Sequence, residues 1–177
     1  MGTVVGVRLR DGVALAADKR ATSESAVRSE SLQKLFDYDA AGAVAAGEPS
    51  AIGTFGRRLE TEIRTRQTEQ GTTIRIDPLA RIAGDLASET GVEAVVAARD
   101  GELVARVRAI DSSGGELAEE VLAQGTGAQF ALGQLDGIDR ELSVREADER
   151  LESLLRRVAE RDTETGEEID VWTLEDG

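Results

Sequence analysis

A chain of 177 residues with no histidine and no cysteine can do chemistry only with hydroxyls, carboxylates, lysines or its own α-amine. Ser-His-Asp triads, thiol nucleophiles, disulfides and imidazole- or thiolate-bound metals are excluded outright. An oxygen-only cation site stays open in principle, but no D-x-D-x-D-G loop occurs. Within that short list, the first eighteen residues stand out. A Gly2-Thr3 pair is followed by two apolar runs that end at Asp18, a layout that suits an enzyme whose nucleophile is its own terminal residue.

Two further side chains belong beside that pair. Only two lysines are present, Lys19 and Lys34. Lys34 lies between Ser31-Leu32 and an apolar Leu35-Phe36 segment, one face of which must be buried. Asp18 closes an apolar strand, where an ordinary turn-forming aspartate would also be at home. Gly47 follows an alanine-rich run and could simply punctuate a turn.

Hydrophobic periodicity indicates which elements would position these groups. Residues 3–9 and 13–17 read as strands joined at Asp11-Gly12, and Lys34–Tyr38 and Ala43–Ala46 as a second hairpin around Ala40–Gly42. From Ser50 the period changes: Ile52, Phe55, Leu59 and Ile63 share one helical face, with Gly71 as the stop. A second helix is expected after Pro78, with Leu79, Ile82 and Leu86 inward and Gly91 at its end. Val92–Arg99 and Leu103–Ile110 form a strand pair turning at Asp100-Gly101. A loop at Ser112–Gly115 and a short strand at Glu120–Ala123 follow. Phe130, Leu132 and Leu135 suggest a short helix. Ser143 to Glu146 is a capping box opening an amphipathic helix with Val144, Ala147, Leu151, Leu154, Leu155 and Val158 inward, and Ile169–Leu174 closes as a strand. Two strand-rich blocks, each followed by a helix pair, imply one domain over residues 1–177. Its expected class is α+β, a four-layer αββα sandwich.

The charge balance narrows the partners. Thirty-five acidic against 21 basic residues leave a net −14, a field that argues against nucleic acid and anionic membranes. The acidic, lysine-poor surface suits a salty cytosol. No apolar run approaches the roughly 20 residues of a membrane span, and no signal peptide is visible, so a cytoplasmic protein is expected.

Several anchors, in order along nearly the whole chain, resemble the proteasome β-type subunits, which are N-terminal nucleophile hydrolases. They are Gly6-Val7 through Asp18-Lys19-Arg20-Ala21-Thr22, then Lys34-Leu35-Phe36, Ala46-Gly47 and Gly125-Thr126-Gly127. Phe130-Ala131-Leu132-Gly133, and finally Arg161 to Gly166 with Ile169-Asp170-Val171, complete the set. The resemblance implies that family's sandwich fold and a threonine-type endopeptidase acting on unfolded polypeptide in intracellular protein degradation. It also implies a ring built from copies of itself or from α-type and β-type subunits, and no cofactor or metal. By the same resemblance Lys34 would lower the pKa of a terminal threonine hydroxyl and Asp18 would orient that lysine. Gly47 would supply an oxyanion-hole N–H, and Thr126, Asp162 and Thr165 would hold the N-terminus.

One position departs from the pattern. The family's threonine precedes the orienting aspartate by sixteen residues, and that count from Asp18 lands on Gly2. In this register the chain is a subunit without a nucleophile, and removal of the initiator methionine leaves Gly2 terminal. In the other register, cleavage after Gly2 exposes Thr3 as the nucleophile, although strand alternation would aim its hydroxyl away from Lys34 unless a bulge corrects it.

Overall fold

The computed structural model describes all 177 residues. Strands β1 (Thr3–Arg8) and β2 (Gly12–Asp18) pair antiparallel, as their apolar composition and the intervening Asp11-Gly12 turn require. β10 (Val121–Gly125) and β11 (Ile169–Glu175) flank them, giving a four-stranded sheet of order β10-β1-β2-β11. The second sheet runs β5-β6-β7-β8-β9, built from Leu35–Asp37, Ala41–Ala46, Glu93–Arg99, Ala105–Ile110 and Glu116–Leu117.

Side-chain alternation along β1 sorts the core into layers. Val4 points between the sheets, where it meets Leu15, Val95, Val107 and Trp172. Val5 and Val7 point the other way, onto Leu151, Leu155 and Val158 of α4 (Ala147–Ala159). The short helix α3 (Ala128–Leu135) adds Ala131 and Leu135 to that layer. On the far side, α1 (Pro49–Gln70) and α2 (Ile76–Thr90) cover the second sheet with Ile52, Phe55, Leu59, Leu79 and Leu86. The result is the expected four-layer αββα sandwich.

The helix ends follow their sequence signals. Gly71 and Gly91 sit at φ 69° and 80°, the left-handed conformation that lets a C-terminal amide fold back onto the helix. Ser143 donates both its N–H and its hydroxyl to Glu146 at 3.0 and 3.1 Å. That capping box opens a single 3-10 turn, Val144–Glu146, before α4.

Four details differ from the sequence expectation. α2 starts at Ile76, two residues before Pro78, because the first turn of a helix needs no N–H from that position. Gly42 lies inside β6 rather than in a turn; a Cβ there would come within 2.8 Å of the Trp172 ring, so the glycine is a notch for the indole. Leu103 belongs to the β7–β8 turn, at φ 65°, and Asp100 holds that turn by accepting the N–H groups of Glu102 and Val104. A small separate hairpin, β3 (Ala21–Ser23) with β4 (Ala26–Ser29), was not foreseen.

Candidate active site

Asp18 is the hub of the polar groups at this end of the sandwich. It ends β2 fully buried, and its two carboxylate oxygens accept four N–H donors. Oδ1 takes the Thr3 amide at 3.0 Å and Lys34 Nζ at 2.9 Å. Oδ2 takes the amides of Arg20 at 3.0 Å and Gly166 at 2.9 Å. Such full satisfaction is what makes a carboxylate tolerable away from water.

Lys34 enters from the residue before β5 and is only 1 % exposed. Burial pulls its ammonium below the ordinary lysine value, against the opposing attraction of Asp18. Its second acceptor is the Met1 carbonyl at 3.2 Å. The ammonium lies directly over Gly2: a Cβ built on that residue would run into Lys34 Nζ and Asp18 Oδ1. Residue 2 is therefore the position whose side chain would address the lysine, and glycine supplies none.

Thr3 faces the opposite way. Its side chain is wholly buried, and its hydroxyl lies 2.7 Å from that of Thr165. Thr165 gives its own proton to Asp162 at 2.6 Å, so Thr3 is the donor of the pair. Thr126 donates to the same Asp162 oxygen at 2.6 Å. Burial raises the Asp162 carboxyl pKa, but the two hydroxyls and the Glu164 N–H outweigh it and hold the group below the usual carboxylate range. Thr126 also uses its backbone N–H to hold the Gly2 carbonyl at 2.9 Å. Thr3, Thr126, Asp162 and Thr165 thus form one network on the α3–α4 side of β1, while Lys34 and Asp18 Oδ1 converge on Gly2.

Gly47 follows β6 at φ 153°, and its N–H finds no acceptor within the chain. The preceding Ala46 lies close to Gly125, where a Cβ would meet both Ala46 Cβ at 3.3 Å and the Gly2 carbonyl. A free amide donor is therefore one residue away from the Gly2–Gly125 contact. All seven residues singled out in the sequence fall at this end of the molecule, but the Thr3 hydroxyl turns to Thr165 while Lys34 is directed at Gly2 and Asp18.

Three contributors escaped the sequence. The amides of Arg20 and Gly166 bind Asp18 through the backbone, which leaves no trace in residue type. Glu93, at the start of β7, accepts the Gly125 N–H at 2.8 Å and so fixes the turn that carries Thr126. A charged residue beginning a strand is too common to single out.

A family description reading "Proteasome subunit" matches residues 1–174. The chain is 31 % identical to the proteasome subunit beta of Haloferax volcanii, over 99 % of this chain and 74 % of that protein. It is 30 % identical to the proteasome subunit beta 1 of Ignicoccus hospitalis, over 97 % of this chain and 89 % of the relative. Against the proteasome subunit beta 2 of Thermococcus kodakarensis the identity is 27 %, over 93 % and 85 %.

Proposed function

The chain belongs to the proteasome subunit family, and from that premise we infer that it is a β-type subunit that serves protein degradation without cutting peptides itself. One observation carries this reading: the residue whose side chain would point at Lys34 is Gly2, which has no hydroxyl. An acyl-enzyme ester needs an oxygen nucleophile in that place.

Thr3 is a poor substitute. Bringing its hydroxyl to Lys34 means turning over β1, and a one-residue slip would drive Val4, Val5 and Val7 onto the wrong faces. Val5 and Val7 are 0 % exposed against α4 and Val4 is 0 % exposed between the sheets. The slip would also break the Thr3 amide bond to Asp18 and the hydroxyl chain to Asp162. The retained Asp18–Lys34 pair then acts as a strut for the N-terminal strand. The subunit contributes a wall to a ring of like or related subunits, with α-type and catalytically competent β-type chains as its partners.

Treatment with a β-lactone or peptide-boronate probe, followed by intact-mass analysis, tests the reading. The expected result is an unlabelled chain that still begins at Met1 or Gly2. A probe adduct on a chain beginning at Thr3 would overturn it.

A further inference from the structure

Arg8 closes β1 at the end of the sandwich opposite Asp18, because β2 runs antiparallel to it from Gly12 to Asp18. A cavity of about 430 Å³ opens there, between β8, the start of α2 and the connection from β9 to β10. Arg106 and Arg108 alternate with Ala105 and Val107 along β8, so both guanidinium groups leave the same face of the strand. Seven of the eleven lining residues are charged, three arginines against four acids. A purely structural cluster would pair all of them off within the chain. This one does not.

Arg8 is fully engaged, donating to both oxygens of Asp176 and to the Ala105 carbonyl at 3.2 Å. Glu120 is paired with Arg140. Asp100 accepts Arg106 Nε at 3.0 Å and the amides of Glu102 and Val104. Arg108 gives one terminal nitrogen to the Val107 carbonyl at 2.9 Å and reaches Asp77 only at 3.5 Å. What is left over has both signs. The two terminal nitrogens of Arg106 have no acceptor in the chain, and neither does Arg108 Nε. The Glu119 carboxylate, also on the cavity wall, has no donor.

We propose that this cavity binds a short peptide as a zwitterion, its carboxylate held by Arg106 and Arg108 and its terminal ammonium by Glu119. The free edge of the Arg106 guanidinium presents two parallel N–H groups, the fork that matches a carboxylate. Neither kind of plain ion fits as well. A dianion would face four carboxylates with only three arginines to hold it. A simple cation would satisfy Glu119 but lie against the arginines and leave their donors empty. A ligand with separated charges answers both, and being neutral overall it is not repelled by a molecule of charge −14. The volume is nearly three times the roughly 150 Å³ that holds benzene, more than one small amino acid fills. Between the two ends, Ile76, Val107 and Ala118 offer apolar wall to an uncharged backbone. The site lies away from Gly2 and Lys34, so it holds whether or not the subunit cuts peptides.

Thermal unfolding of the full chain in molar KCl, titrated with trialanine into the millimolar range, provides the test, since a ligand that binds only the folded state raises the midpoint. Trialanine, with both ends charged, should raise it to saturation. N-acetyl-trialanine and trialanine amide, each lacking one end charge, should leave it unmoved. Glu119→Gln removes a carboxylate without a partner, so the ligand-free midpoint should stay at the wild-type value. Its affinity for trialanine should fall about tenfold or more, the worth of a charge-assisted hydrogen bond. Arg106→Gln should weaken trialanine to the same degree, and loss of the bond to Asp100 should also lower its ligand-free midpoint. Equal shifts from free and capped peptides, a wild-type titration in Glu119→Gln, or no saturable shift at all would overturn the site.

Discussion

At the scale of single residues, the central fact is that the lysine and aspartate persist beside a glycine. A buried ion pair is weak evidence for stability, because desolvation offsets most of its attraction. Removing one partner is another matter, since the survivor keeps its burial cost. Lys34→Met leaves Asp18 charged in the interior with only its three amide donors. Denaturant unfolding in high salt should show a loss of about 3–5 kcal/mol. Adding Asp18→Asn should recover part of that loss, giving a coupling energy of about 1–3 kcal/mol in the double-mutant cycle. Two strictly additive losses would mean that the pair does not act as a strut. A catalytic role alone would leave both midpoints near the wild-type value.

At the scale of elements, glycines divide into notches and stops, and the distinction governs what a methyl group does. Gly56 in α1 sits under Phe36, whose ring atoms would clash with a new Cβ, and its carbonyl accepts the Tyr38 hydroxyl at 2.9 Å. Gly53, one turn earlier, would meet only the tip of Arg57 at 3.2 Å. Gly53→Ala should stabilise the fold by about 0.5–1 kcal/mol through helix propensity. Gly56→Ala should cost about 1–3 kcal/mol by overpacking, read from thermal or denaturant midpoints; a stabilised Gly56→Ala would show that α1 is not seated by that notch. The same distinction explains what the sequence made legible. α1, α4 and the β1–β2 hairpin announced themselves because long amphipathic or apolar segments carry their own period. Gly42 looked like a turn because nothing local shows that Trp172, far along the chain, lies on it. The β3–β4 hairpin stayed hidden because its strands are short and its turn places Glu24 and Ser25, not glycine, at positive φ. In the site, strand alternation alone separates Thr3 from Lys34. The convergence of Arg20 and Gly166 on Asp18 was invisible, since backbone amides have no sequence signature.

At the scale of the molecule, charge decides under which conditions the fold and its assemblies exist. Surface ion pairs such as Arg64–Glu60 and Arg58–Glu89 are each worth about 0–1 kcal/mol and weaken with salt. Against them stands an excess of 14 negative charges, whose mutual repulsion grows with the square of the charge and acts across the whole surface. The screening length falls from about 10 Å at 0.1 M to about 3 Å at 1 M salt, so molar salt removes most of that repulsion while costing only the small pairwise gains. Both the unfolding midpoint and the fraction of assembled protein should therefore rise from dilute buffer to molar KCl. Screening can be told from a general salting-out effect by changing the protein's charge. Glu62 and Glu69 are exposed on α1, and reversing both to lysine adds four charges, taking −14 to −10. If repulsion governs, the double variant reaches its assembled state at distinctly lower KCl than the wild type, as followed by sedimentation across a salt series. Identical salt profiles for the two proteins, or wild-type assembly that persists in dilute buffer, would mean that apolar contacts and not screening set the requirement for salt.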